Sequence, residues 1–321
     1  MKIFHHLGEV PQDFGQTVLT IGNFDGVHRG HQLVIAEVIA RARALNAKSL
    51  GVTFFPHPGR VLRPEGNLRL ITPLPQKLAL LAATGIDATL VIPFTPEFSH
   101  LSARDFAQRI LLEKLHAVDV HEGENFRFGY QAEAGITGLA ALGAELGFAV
   151  HSYTPRRLRG NIISSSVIRK FISAGEVHRA RPLLGRPFSI CSTPASGRGY
   201  GTRYTVPTIN LAPYSELLPA NGVYVTQLSF AGECFNAVTN IGNRPTFGPD
   251  SFAVESHLLN FHPIDLSKDA PLELAFLKRI RSEQKFDSPD LLRAQIMRDV
   301  AHADRYFSLA AAARSPSNSP A

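Results

Sequence analysis

Through its first half this chain alternates short apolar runs with stretches of helical period, and after Gly185 the period changes to two. The runs lie at 18–22, 50–54, 89–94, 117–121 and 148–153, with helical patterns near 32–45, 76–83, 103–114 and 136–146. Apolar runs this short read as strands buried on both faces. Strands separated by helices predict an α/β domain over 1–160, a parallel sheet with helices on both sides. A helical bridge is expected at 161–184. Beyond it, alternating runs at 224–228, 254–259 and 272–276, punctuated by Gly, Pro and Asn, predict an antiparallel barrel or sandwich over 185–308. A helix from about 289 to 306 would close this half, followed by a disordered tail at 309–321.

Ligands of parallel sheets bind outside the carboxyl ends of the strands, where the loops 22–31, 55–58 and 123–129 fall. The first loop is the most informative. It reads Gly22-Asn23-Phe24-Asp25-Gly26-Val27-His28-Arg29-Gly30-His31, and Val34, Val38, Ala42 and Leu45 follow it at helical spacing. His28 and His31 are thus expected on the first turn of a helix that leaves a strand. There, free N–H groups and the helix dipole favour an anion. Imidazoles three residues apart share a face and can steady a phosphoryl group. The same pair could be half of a metal site, with a third ligand from His57 or Asp25.

Charged residues at 19% and hydrophobic ones at 44% describe an ordinary soluble globular chain, and 321 residues suffice for two cores. No apolar run reaches the length of about 20 residues that spans a bilayer. Residues 1–6 lack a signal-peptide h-region. Cys191 and Cys234, the only cysteines, suggest neither a knuckle nor a redox pair. The expected compartment is the reducing cytoplasm, without a membrane partner. Between Arg156 and Arg203 the basic residues have one acidic counterpart, Glu176. No aromatic-interleaved RNA signature accompanies them, so contacts to polyphosphate are expected rather than to nucleic acid.

Three further motifs carry chemistry. Ser164, Ser165 and Ser166 precede Val167, Ile168, Phe171 and Ile172, which reads as a capped helix start with Arg169 one turn in. Hydroxyls, open N–H groups and a guanidinium there suit a triphosphate. By itself the stretch reads more readily as a capped helix with a surface arginine. In Pro207-Thr208-Ile209-Asn210, a strand would put Thr208 and Asn210 on one face, offering hard oxygens to Mg²⁺, or would be a plain strand edge. Glu255, in an apolar run beside Ser256 and His257, is either functional or on a solvent face.

In this order and spacing the motifs resemble the bacterial bifunctional riboflavin kinase/FAD synthetase family. The stretches Asn125–Gly129, 183–188, 221–224, 239–247 and 283–286 extend the similarity over about residues 15–305. The resemblance implies a Rossmann-like nucleotidyltransferase domain followed by a β-barrel riboflavin kinase domain. It implies ATP, riboflavin and FMN as substrates, FAD as product, and Mg²⁺ accompanying ATP. His28 and His31 would stabilise adenylyl transfer. Gly22, Phe24, Asp25, Ser164, Ser165 and Arg169 would bind ATP, and His57 and Asn125 the flavin. In the kinase half, Thr208 and Asn210 would hold the metal, and Glu255 would orient or deprotonate the riboflavin hydroxyl.

The chain departs from the family at Thr205-Val206, where Gly-Phe is usual, and in the glycine-rich stretch before it. Phe55 replaces the usual Glu before Pro-His-Pro. These changes leave room for a FAD synthetase whose kinase domain is weakened or only binds flavin. A cytidylyl- or coenzyme A-type transferase and a flavin-responsive nucleic-acid regulator are the remaining alternatives.

Overall fold

The apolar runs of the first half pair in parallel, as strands separated by helices do. In the computed structural model, residues 1–195, 208–243, 252–262, 267 and 269–313 are described. The chain divides into two units, Met1–Val167 and Ile168–Ala321. The first holds strands β1 (Lys2–Phe4), β2 (Thr17–Ile21), β3 (Lys48–Phe55), β4 (Ala88–Pro93), β5 (Ala117–Gly123) and β8 (Ala149–Tyr153), in the order β1-β4-β3-β2-β5-β8. Two small hairpins, β6 (Arg127–Phe128) with β7 (Ala134–Gly135) and β9 (Arg157–Leu158) with β10 (Asn161–Ile162), lie beside it.

Every residue of β2 is buried, because helices cover both faces. Leu19 and Ile21 join Leu50, Val52, Leu90 and Val120 in a core with Phe106, Ile110, Leu111 and Leu139. Val18 faces the other way, onto Val38 and Ala42 of α1 (Arg29–Ala44). The remaining helices are α2 (Pro58–Leu62), α3 (Leu74–Ala82), α4 (Pro96–Ser99), α5 (Ala103–Asp105) and α6 (Ile136–Leu146). The expected helix at 103–114 is only a turn of α-helix. It continues over Phe106–Lys114 with π winding, and the Leu115 N–H returns five residues to the Ile110 carbonyl.

Helices α7 (Ser165–Ser173) and α8 (Val177–Leu184) follow. The second sheet contains β11 (Phe188–Ser192), β12 (Pro194–Ala195), β13 (Thr208–Leu211), β14 (Gly222–Phe230), β15 (Glu233–Asn243), β16 (Phe252–Leu258) and β17 (Leu272–Arg281). Its order is β11-β17-β14-β15-β16-β13-β12, antiparallel throughout. Only Thr193 separates β11 on one edge from β12 on the other. Consecutive Cα atoms are about 3.8 Å apart, so the sheet must curl until its edges meet. That is a barrel rather than a sandwich.

Tyr224, Phe276, Phe188, Ile190, Leu228 and Leu274 are buried. On the opposite face, Val223, Val225, Val238 and Leu277 pack against Ala303 of α9 (Pro289–Ala312). This helix runs past Tyr306, so residues 309–312, expected in the tail, are helical. Among the described residues no helix is long and apolar enough to cross a membrane.

Candidate active sites

In the first unit, β2 ends at Ile21, and the Gly22 N–H donates to the Val52 carbonyl at 2.9 Å. The chain then turns through a buried loop in which Phe24 (φ 46) and Val27 (φ 38) adopt the left-handed backbone. For a β-branched valine this costs on the order of 1–3 kcal/mol, so the surroundings must hold the loop. The Asp25 carboxylate accepts from the Ile71 N–H at 2.9 Å and the Thr72 N–H at 3.1 Å. The Thr72 hydroxyl accepts from the Gly26 N–H at 3.0 Å, and the Gln32 amide donates to the Val27 carbonyl at 2.8 Å. The Asp25 carboxylate, only 1% exposed, thus ties the loop to residues 71–72.

The loop delivers His28 to the N-cap of α1, where its Nδ1 accepts from the His31 N–H at 3.3 Å. His28 is therefore in the tautomer with its proton on Nε2. One amide expected to be open is already capped. The two rings stack, with centroids 3.6 Å apart and planes 14° from parallel. The intervening Gly30 makes this possible, because a Cβ there would meet the His28 ring at 3.1 Å. Phe24 stands edge-on to His31 with centroids 5.2 Å apart. Burial, His28 and Lys77 together hold His31 neutral, well below the usual imidazole range. Its Nδ1 is buried with no hydrogen-bond partner among the described residues.

Ser165 reaches the same loop. The Ser165 hydroxyl donates to the Asp25 carbonyl at 2.8 Å, and the Ser164 hydroxyl accepts from the Val167 N–H at 3.4 Å. Arg169 lies one turn further along α7, past the end of the first unit. A cleft of about 500 Å³ opens beside the first turn of α1, lined by Arg29, Gln32, Leu33, Arg156, Arg157, Leu158 and Ile163. Three guanidiniums there suit a polyphosphate.

Sequence reasoning missed the buried ionisable groups Lys77 and Glu122, among others. Lys77 of α3 is 2% exposed, with Nζ 3.5 Å from the Thr53 hydroxyl. Burial brings it down to about 8 against the opposing pull of Asp25. Glu122 of β5 accepts from the Ile21 N–H and, at 3.3 Å, from the Thr20 hydroxyl. Burial outweighs those bonds and pushes its carboxyl up to about 8.

His57 caps α2 by accepting from the Gly59 N–H at 3.0 Å, and Asn125 is exposed in the loop after β5. Sequence reading also overlooked a run of phenylalanines at these strand ends. Phe54 contacts Phe94 and Phe98 at 5.7 and 6.0 Å, Phe98 contacts Phe106 at 6.4 Å, and Phe106 contacts Phe128 at 5.9 Å. Half-buried rings among them offer a planar, apolar surface.

In the second unit, register assembles the other constellation. Thr208 pairs with His257 and Asn210 with Glu255 across β13 and β16, while Asn240 of β15 faces Glu255 from the other side. Side chains alternate along strands, so Thr208, Asn210, Asn240, Glu255 and His257 share one face. Thr208 Oγ1 is 2.8 Å from His257 Nδ1, and burial lowers His257 against the pull of Glu255. In a neutral imidazole protonated on Nε2, the Thr208 hydroxyl donates to Nδ1 and keeps its lone pairs for a hard cation. On the opposite face, Thr226, Thr239 and Ser256 form a buried ladder with O–O spacings of 2.7 and 2.8 Å. Pro207, the Thr205-Val206 departure, most of the glycine-rich stretch and residues 244–247 lie outside the described residues.

The FAD synthetase family model matches residues 10–167 and the riboflavin kinase family model residues 184–307. The bifunctional riboflavin kinase/FMN adenylyltransferase of Escherichia coli K12 is 34% identical over 309 residues, covering 95% of this chain and 96% of its own. Its counterpart in Pseudomonas fluorescens is 35% identical over 304 residues, covering 94% and 97%. That of Buchnera aphidicola from Acyrthosiphon pisum is 32% identical over 313 residues, covering 96% and 99%. Among solved structures, a Streptococcus pneumoniae chain titled a macrolide-efflux protein superposes with a TM-score of 0.85 at 25% identity. The match covers 94% of this chain and 98% of that one.

Proposed function

This chain belongs to the bifunctional riboflavin kinase/FMN adenylyltransferase family, and we propose from that premise how its residues divide the two reactions. The second unit phosphorylates riboflavin with ATP to give FMN and ADP. The first transfers AMP from a second ATP to FMN, giving FAD and pyrophosphate. The observation that carries this reading is that each unit holds its own constellation: stacked imidazoles at a helix start in one, and a Thr/Asn/Glu/His face in the other.

In the transferase reaction, the FMN phosphate attacks the α-phosphorus of ATP and charge grows on the pentavalent centre. His28 donates through Nε2–H to the charge developing there, with His31 stacked against its ring. Arg29, Arg156 and Arg157 bind the polyphosphate in the cleft, and Lys77 adds a buried positive charge behind the rings. Ser164, Ser165 and Arg169 complete the nucleotide contacts. The flavin ring lies toward the phenylalanines, with His57 and Asn125 at its polar edges. Asp25 and Glu122 act by holding the loop.

In the kinase reaction, Glu255 orients the riboflavin 5′-hydroxyl and accepts its proton as the γ-phosphate is attacked. Thr208 and Asn210 supply hydroxyl and amide oxygens, a donor set that fits Mg²⁺. That ion, when bound, neutralises phosphate charge. Phosphoryl transfer depends mostly on such positioning and neutralisation. No nucleic acid enters this scheme; the basic stretch at 156–157 serves the nucleotide.

Mass spectrometry of products from riboflavin, Mg²⁺ and ATP tests the whole reading, and FMN, ADP, FAD and pyrophosphate are expected. Purified protein given FMN, Mg²⁺ and ATP that releases neither FAD nor pyrophosphate would overturn the transferase assignment. Failure to form FMN and ADP from riboflavin would leave the second unit a flavin-binding module.

A further inference from the structure

In the first unit, β5 and the edge strand β8 carry a cluster that neither proposed reaction uses. His121 and His151 face each other directly in the parallel register, and Asp119 lies two residues before His121 on the same side of β5. His121 Nε2 is 3.4 Å from Asp119 Oδ1, and His151 Nε2 is 2.9 Å from the same oxygen. Asp119 is 1% exposed and His121 3%. Despite these distances, neither Asp119 Oδ1 nor His121 Nε2 has an aligned hydrogen bond among the described residues. Two buried lone-pair atoms and a third ligand atom therefore converge without satisfying one another. Leaving such groups unmet is unfavourable, and a shared cation would offset it.

We propose that Asp119, His121 and His151 bind one borderline divalent transition-metal ion, Zn²⁺ being the natural occupant. Two imidazole nitrogens and one carboxylate oxygen are a zinc donor set that leaves a fourth position for water. With bonds of about 2.0–2.1 Å, tetrahedral ligand atoms lie about 3.4 Å apart, close to the spacings found. The surroundings already orient the ligands as outer partners do in zinc sites. Arg41 Nε donates to Asp119 Oδ2 at 2.7 Å, which leaves Oδ1 to the ion. Tyr153 Oη is 2.7 Å from His121 Nδ1 and fixes that ring.

His151, half exposed, is the entry side. The ion would staple the edge strand β8 to the sheet. Its chain leads on to Arg156 and Arg157, but none of the three ligands lines that cleft.

The test uses the full chain and Zn²⁺ alone, titrated against a chromogenic chelator. Exposed His5 and His6 offer a surface pair of imidazoles, so the site is counted as the difference between wild type and His151→Gln. One additional equivalent in the wild type, at least about tenfold tighter than anything retained by His151→Gln or Asp119→Asn, supports the site. Co²⁺ in the same position should give the intense visible bands of low coordination. Identical zinc stoichiometry and affinity in wild type and variants would overturn it. Should a variant melt differently in chelator, the wild type alone decides through diethylpyrocarbonate labelling of His151 read by peptide mass. Zn²⁺ is expected to slow that labelling at least fivefold, and an unchanged rate overturns the proposal.

Discussion

Replacing Glu122 by glutamine should remove a pH dependence of stability that the wild-type fold carries. The Glu122 carboxyl is 4% exposed and raised from the ordinary 4.5 to about 8. Between those values the folded chain keeps a proton that the unfolded chain has released. Stability from this group is therefore complete below pH 4.5 and falls as pH rises, levelling off above 8. At about 1.36 kcal/mol per unit, the whole swing is about 5 kcal/mol, of which roughly 2 fall between pH 6 and pH 8. Glutamine is neutral throughout and keeps an oxygen to accept from the Ile21 N–H and the Thr20 hydroxyl.

The wild type should thus lose about 2 kcal/mol more than Glu122→Gln from pH 6 to pH 8. Hydrogen exchange of peptides spanning β2 reads the first unit without interference from the second, and urea unfolding by circular dichroism checks the total. Since the variant subtracts every other titration, parallel pH profiles for the two proteins would refute the argument. So would a variant less stable at pH 8 than the wild type.

The two reactions should separate by mutation. His28→Ala is expected to lower FAD formation from FMN at least about 100-fold while leaving riboflavin phosphorylation near wild type, and Glu255→Ala should do the reverse. Loss of both activities in a folded variant would refute two independent sites. Gly30→Ala places a methyl 3.1 Å from the His28 ring, so adenylylation kcat should fall about 10- to 100-fold with an unchanged kinase rate; an unaltered kcat would mean the stacking is dispensable. Lys77, near 8 in the free protein, should make adenylylation kcat/KM for ATP decline above that pH. Lys77→Met should be low and flat across the range, and a profile of wild-type shape would exclude Lys77.

The parallel sheet was legible because β2 and β4 are buried along nearly their whole length and carry few polar residues. β1 was not, since only Phe4 of its three residues is buried. β15 escaped for a different reason. Its inward residue Thr239 is polar in sequence, yet its hydroxyl is satisfied by Thr226 and Ser256, and no single-strand pattern reveals a partner on the neighbouring strand. Barrel and sandwich could not be told apart until pairing placed Ser192 and Pro194 on opposite edges.

Legibility of the sites follows the same division between local and non-local information. His28 and His31 announce themselves because three residues on a helix start fix their relation. Asn210 opposite Glu255 needed a register, as did His121 opposite His151. Lys77 stands in an apolar helix, where one lysine reads as a surface residue. Asp25 is instructive in another way. Its buried carboxylate ties the loop to Ile71 and Thr72, beside Phe24 and Val27 in their left-handed backbone. The motif therefore divides its labour: two stacked imidazoles are held at the helix start, and much of the surrounding loop supports them by withstanding strain. A single substitution in that support, at Asp25 or Gly30, should cost transferase chemistry while touching no substrate.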